Sequence, residues 1–75
     1  MTVQDIMKQT FVLDGEFIEL YKLLKLLGVT DSGGMAKAMI ADGEVLVDGV
    51  VELRKRCKLH KGQVVVSGGV EIEIV

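Results

Sequence analysis

The chain has 75 residues, a formal charge of −2, 49% hydrophobic and 27% charged residues, and no proline, which sets the size of one domain with a small core. Its longest apolar runs are a few residues, far short of the ~20 that span a bilayer, so no spanning helix and no membrane partner are expected. Cys57 is the only cysteine and His60 the only histidine, which rules out an internal disulfide, a zinc cluster and a catalytic triad. The expectation is a protein that is not an enzyme and holds no small-molecule cofactor and no metal. Met1 to Thr10 contains Gln4, Asp5, Lys8 and Gln9 and lacks an apolar signal region, which with the lone cysteine points to the cytoplasm.

In chain order, residues 9–13 alternate weakly and predict a short strand. Asp14-Gly15 offers a turn and a helix cap. From Glu16 to Leu27 apolar residues fall at 17, 20, 24 and 27, with 23 on the same side, which is helical spacing that ends at Gly28. Phe17 is assigned to the core. A second helix is predicted to start at Thr30 or Asp31, bury Met35, Ala36, Met39 and Ile40, and stop at Asp42-Gly43.

The period then switches to two. Residues 44–47 and 50–53 flank Asp48-Gly49, a strong signal for a two-residue type I′ hairpin. Lys61-Gly62 is a second turn, and 63–67 and 70–75 form another hairpin around Gly68-Gly69. In the last strand Val70, Ile72 and Ile74 face one way. Glu71 and Glu73 face the other, as solvent-exposed edge residues. The fold class is α+β: two helices packed on a small antiparallel sheet of about four to five strands. Leu20, Leu24, Leu27, Met39, Ile40, Val45 and Val47 are the expected shared core.

Charge is distributed unevenly. Residues 54–61 carry five cations and no anion, whereas the rest of the chain has four cations and eleven anions. Because screening confines a field to about 8–10 Å, a polyanion at contact range meets the local patch and not the net charge. If 53–59 is extended, Arg54, Arg56 and Lys58 share one face at a spacing of about 6–7 Å, suited to successive phosphates, with Leu53, Cys57 and Leu59 inward and Lys55 the exception. The bland reading is a solvated loop balancing the acidic remainder. At Ser32-Gly33-Gly34, the free N–H groups of a helix start and the nearby Lys37 suit one more phosphate; the bland reading is a plain cap. Lys22 and Lys25 read as solvated surface, with Glu19 placed to pair with Lys22. Cys57 reads as a buried structural residue and His60 as loop surface. Aromatics are few, Phe11, Phe17 and Tyr21, and none lies within the basic segment. Base-stacking platforms are therefore not expected, which favours recognition of phosphate and folded shape over single-strand sequence.

Residues 19–50 resemble the RNA-binding domain named after ribosomal small-subunit protein S4, whose motif (the αL motif) is two short helices and a strand. The resemblance rests on Lys22-Leu23-Leu24, Gly28, Ser32, Ala36-Lys37, Ile40 and the run Gly43 to Gly49 in unbroken register. Its continuation through Arg54-Lys55-Arg56 and Lys61-Gly62-Gln63-Val64 is similar to the short, single-domain bacterial members of the YbcJ type. Many family members carry arginine at the positions of Glu19 and Gly33 and asparagine at Asp48, so the binding face here is expected to shift toward the Ser-Gly-Gly and Arg-Lys-Arg segments. The resemblance implies one RNA-binding domain over 1–75, with the motif core at about 17–66. Its partner would be structured RNA, with ribosomal RNA as a candidate, contacted through Ser32, Gly33, Gly34, Lys37, Arg54, Lys55, Arg56, Lys58 and Lys61. The alternative is a protein-interaction module that docks an acidic partner on the same basic loop.

Overall fold

The computed structural model describes residues 7–75; Met1 to Ile6 lie outside the described residues, as does the reading of the first segment as free of a signal. Among the described residues, seven strands and two helices follow in the order β1 (Met7–Phe11), β2 (Ile18–Glu19), α1 (Leu20–Leu26), α2 (Gly33–Ala41), β3 (Val45–Val47), β4 (Val50–Val51), β5 (Lys58–Leu59), β6 (Val64–Ser67) and β7 (Val70–Ile74). Five strands form one sheet in the order β1-β7-β6-β3-β4, and β2 and β5 form a separate two-stranded ribbon. Two helices on a small sheet is the expected architecture.

The sheet is mixed, however, and not wholly antiparallel. β1 runs parallel to β7, with Met7 opposite Val70 and Phe11 opposite Ile74. Alternation of side chains announces a strand but carries no information on the direction of its partner. The pairing continues past the strand ends through Leu13 N–H to Val75 O at 2.8 Å and Val75 N–H to Phe11 O at 2.9 Å. It makes β7 an inner strand, so Glu71 and Glu73 are not edge residues. They oppose Lys8 and Thr10 on one side and Val66 and Val64 on the other.

The first helix is shorter than its spacing predicts. Ile18 and Glu19 are extended and pair with Leu59 and Lys58, so α1 starts at Leu20 and not at Glu16. No side chain caps it; Leu20 N–H donates to Cys57 O at 2.9 Å and Tyr21 N–H to Lys55 O at 3.1 Å. The basic segment thus satisfies backbone donors that every helix start leaves without an intrahelical partner. Phe17 falls before this ribbon and is 42% exposed, which corrects its assignment to the core.

The second helix is capped by Ser32, whose Oγ accepts from Met35 N–H at 3.1 Å, rather than by Thr30 or Asp31. Thr30 instead donates its hydroxyl to Ser32 O at 3.0 Å. Both helices close with a Schellman pattern: Val29 N–H bonds Leu24 O after α1, and Glu44 N–H bonds Met39 O after α2. Of the predicted stripe on α2, Ala36 and Ile40 are buried and Met39 packs against the core. Met35, in the first turn beside the Ser32 cap, is 51% exposed, which corrects its place in the buried stripe.

Leu20, Leu24, Ile40, Val45 and Val47 are buried together as expected, with Leu27 and Met39 packed at the margin. Leu13, Leu23, Ala36, Cys57, Leu59, Val65, Ile72 and Ile74 complete the core. The hairpin between β3 and β4 pairs Val47 with Val50 and turns through Asp48 and Gly49, both at positive φ (52° and 84°). Space around Gly49 is open, so a substitution there meets backbone strain alone. Gly49→Val should destabilise the domain by roughly 1 kcal/mol or more. An unchanged melting temperature would argue against the turn.

Candidate functional site

The segment that follows β4 is not extended throughout. Lys55 and Arg56 form a tight turn, closed by Cys57 N–H donating to Arg54 O at 3.2 Å, and only Lys58 and Leu59 are strand. The expectation that Arg54, Arg56 and Lys58 alternate on one face of a strand is corrected accordingly. Cys57 and Leu59 do point inward, but Leu53 is 59% exposed, since the chain bends before it can reach the core. Even so, Arg54, Arg56 and Lys58 surround one open depression with Cys57 at its floor.

Arg54 is held differently from its neighbours. Its Nε donates to Glu52 Oε2 and a terminal guanidinium nitrogen to Glu52 Oε1, both at 2.9 Å, and its backbone N–H donates to the same carboxylate at 2.9 Å. Those bonds, the side-chain fork first, push the Glu52 carboxyl down from 4.5 to about 2. The Glu52 carboxylate also offsets part of the Arg54 charge. Burial, aided by Glu52, pushes the Cys57 thiol up, which agrees with a structural cysteine and not a reactive thiolate. His60 is exposed: its Nδ1 lies 2.9 Å from Glu16 O and its ring 6.5 Å from that of Phe17.

A pH dependence follows from Glu52. Its folded pKa lies below its ordinary value, so the stability it contributes is complete above about pH 4.5 and is lost as pH falls toward 2. Asp48, lowered by the Val64 N–H and then by Gln63, acts in the same direction. Glu52→Gln should flatten the acid limb of the stability curve. Denaturation at several pH values between 2 and 6 checks this, and superimposable limbs for the two proteins would contradict it.

The fold brings the two basic segments together on Tyr21, an aromatic residue outside the expected contact set. Lys37 Nζ lies 4.8 Å from the centroid of the Tyr21 ring, the Arg56 guanidinium 5.9 Å and Lys22 Nζ 6.0 Å. The start of α2 packs on the same ring, for a Cβ at Gly33 would sit 3.7 Å from Tyr21 Cδ2 and Cε2. Lys58 Nζ lies 4.8 Å from the Phe17 ring. The premise that no aromatic accompanies the basic cluster holds along the chain but not in space. The available signal was Tyr21 itself, an aromatic that falls outside the 17-20-24-27 apolar spacing of its helix. Lys22 also pairs with Glu19 at 3.2 Å, the bland reading for that lysine. Lys55 and Lys61 are exposed on turns. Among the described residues, no three His, Cys, Asp or Glu side chains gather as metal ligands, and no helix is long and apolar enough to cross a membrane.

A family model described as the S4 domain matches residues 11–75. The chain is 52% identical to YbcJ of Escherichia coli (strain K12) over 58 residues, covering 77% of this chain and 83% of YbcJ. It is 45% identical over 53 residues to the "Probable ribosome maturation protein RlbA" of Bacillus subtilis (strain 168), covering 71% of this chain and 75% of RlbA. The solution structure of E. coli YbcJ, described as revealing an αL motif involved in RNA binding, superimposes with a TM-score of 0.69 at 45% identity. The superposition covers 100% of this chain and 91% of that one.

Proposed function

As the chain belongs to the S4 domain family, we propose that it is an RNA-binding module of the cytoplasm that grips phosphates of structured RNA. The observation that carries this reading is the convergence of Lys37 and Arg56 on Tyr21, which puts the start of α2 and the basic turn on one surface. Arg56, Lys58, Lys37 and the Ser32-Gly33-Gly34 helix start form the centre of the surface. Arg54, tied to Glu52, contributes less, and Lys55 and Lys61 extend the field at the rim. Arginine supplies forked donors to phosphate, and the α2 start supplies backbone N–H groups and the positive end of a helix dipole. Ribosomal RNA is the leading candidate partner, since RlbA, a relative, is named for ribosome maturation. No residue is assigned a catalytic role.

Binding isotherms against a folded RNA stem and an unstructured oligonucleotide of equal length, at several salt concentrations, test the proposal. The stem should bind more tightly at about 150 mM salt, with a log–log salt slope of several units. Equal affinity for the two RNAs would count against shape recognition. Salt-insensitive binding would count against phosphate contact. Capture of an acidic protein that survives nuclease treatment, without RNA binding, would favour a protein-docking role for the same loop.

A further inference from the structure

Beside the basic turn lies a slot lined by Tyr21, Lys22, Lys25, Leu26 and Gly33. Leu26 is 66% exposed there, a large apolar side chain on the outer face of α1. Gly33 lies against the Tyr21 ring and brings only backbone to it, so no side chain from the start of α2 occupies the slot. Lys22 and Lys25 line the slot, while Lys37 and Arg56 reach the Tyr21 ring at 4.8 and 5.9 Å. An aromatic and aliphatic cleft lined by two lysines, with Lys37 and Arg56 close to its aromatic ring, is complementary to a ligand with a flat apolar body and an anionic attachment. An unpaired nucleotide has that chemistry: the base stacks on an aromatic face and its phosphate meets the cations.

The geometry points to this slot as a site for one unpaired nucleobase, so that the RNA recognised is a folded one that presents a bulged or looped-out nucleotide. The inference rests on the phosphate-binding reading above and adds to it the feature that selects among structured RNAs. A bulged base enters at little cost because it has no pairing partner to give up. A continuous duplex cannot place a base in the slot and engages the cations alone.

The test compares two RNA hairpins that differ only by a single bulged 2-aminopurine. The bulged hairpin should bind about tenfold more tightly, within the range for one stacked base, and its 2-aminopurine emission should be quenched on binding. Tyr21 is the only tyrosine and the chain has no tryptophan, so tyrosine emission reports on this ring alone. Tyr21→Leu removes the aromatic face, and Gly33→Leu fills the slot while leaving the ring in place. In each variant, shown by circular dichroism to be folded, the ratio of the two Kd values should fall to near one. Should Tyr21→Leu fail to fold, Gly33→Leu still decides the question. Salt-sensitive binding of both hairpins by the native protein without preference would overturn this inference and leave the phosphate reading standing, as would a preference that survives Gly33→Leu. Absence of salt-sensitive binding to either hairpin would overturn both.

Discussion

Alanine in place of Arg54, Arg56 and Lys58 together should lower the affinity for structured RNA about a hundredfold at 0.15 M salt, and flatten the log–log salt dependence by about two to three units. The magnitude follows from counterion release: each phosphate engaged contributes a slope of roughly −0.7 to −0.9, which at this salt concentration is about fivefold in affinity. The three residues are unequal. Arg54 already spends its fork on Glu52, so Arg54→Ala should cost less than Arg56→Ala or Lys58→Ala. Loss should be similar for all RNAs of comparable shape, because phosphate contacts carry no sequence information. The side chains are exposed, and surface changes typically cost under about 0.5 kcal/mol each, so circular dichroism should show a folded variant. Glu71→Gln with Glu73→Gln is the control and should leave the isotherm nearly unchanged. A folded triple variant with undiminished affinity and an unaltered slope would show that the turn is only solvated surface.

Leu59→Ala should have the largest effect on stability. Leu59 is fully buried, belongs to the two-residue strand that carries Lys58, and pairs with Ile18 just before α1. Truncating a buried leucine costs about 2–5 kcal/mol from lost burial and the cavity left behind. In a domain of this size total stability is itself only several kcal/mol, so the melting temperature should fall by about 10 °C or more. The loss should be felt at the site as well. The Cys57 and Lys55 carbonyls that receive the Leu20 and Tyr21 N–H groups lie on the segment Leu59 anchors. Thermal unfolding by circular dichroism checks the prediction, and a melting temperature within a few degrees of the native one would show that Leu59 does not anchor the segment.

Much of this protein can be read from its residues in order. The apolar spacing at 20, 24 and 27 and at 36 and 40, the glycines after each helix, the Asp48-Gly49 turn and the alternation of 70–74 each depend on neighbours a few positions away. Local periodicity therefore announced both helices, the hairpins and most of the core. The concentration of five cations in 54–61 is likewise a property of the chain alone, and with the S4-type spacing it pointed to a polyanion.

Pairing between distant segments was decided only in three dimensions. Whether β1 runs parallel or antiparallel to β7 depends on which free strand edge the chain reaches, which no local pattern encodes. The same holds for the start of α1: helical spacing extends back to Phe17, yet Ile18 and Glu19 are drawn into strand pairing by Leu59 and Lys58, some forty residues later. That long-range ribbon docks the basic turn against the start of α1 and brings Arg56 to the ring of Tyr21, beside Lys37 and Gly33. Cations and aromatics that lie far apart along the chain become one surface because backbone hydrogen bonds between remote segments, and burial of Cys57 and Leu59 beneath them, fix where the turn must sit.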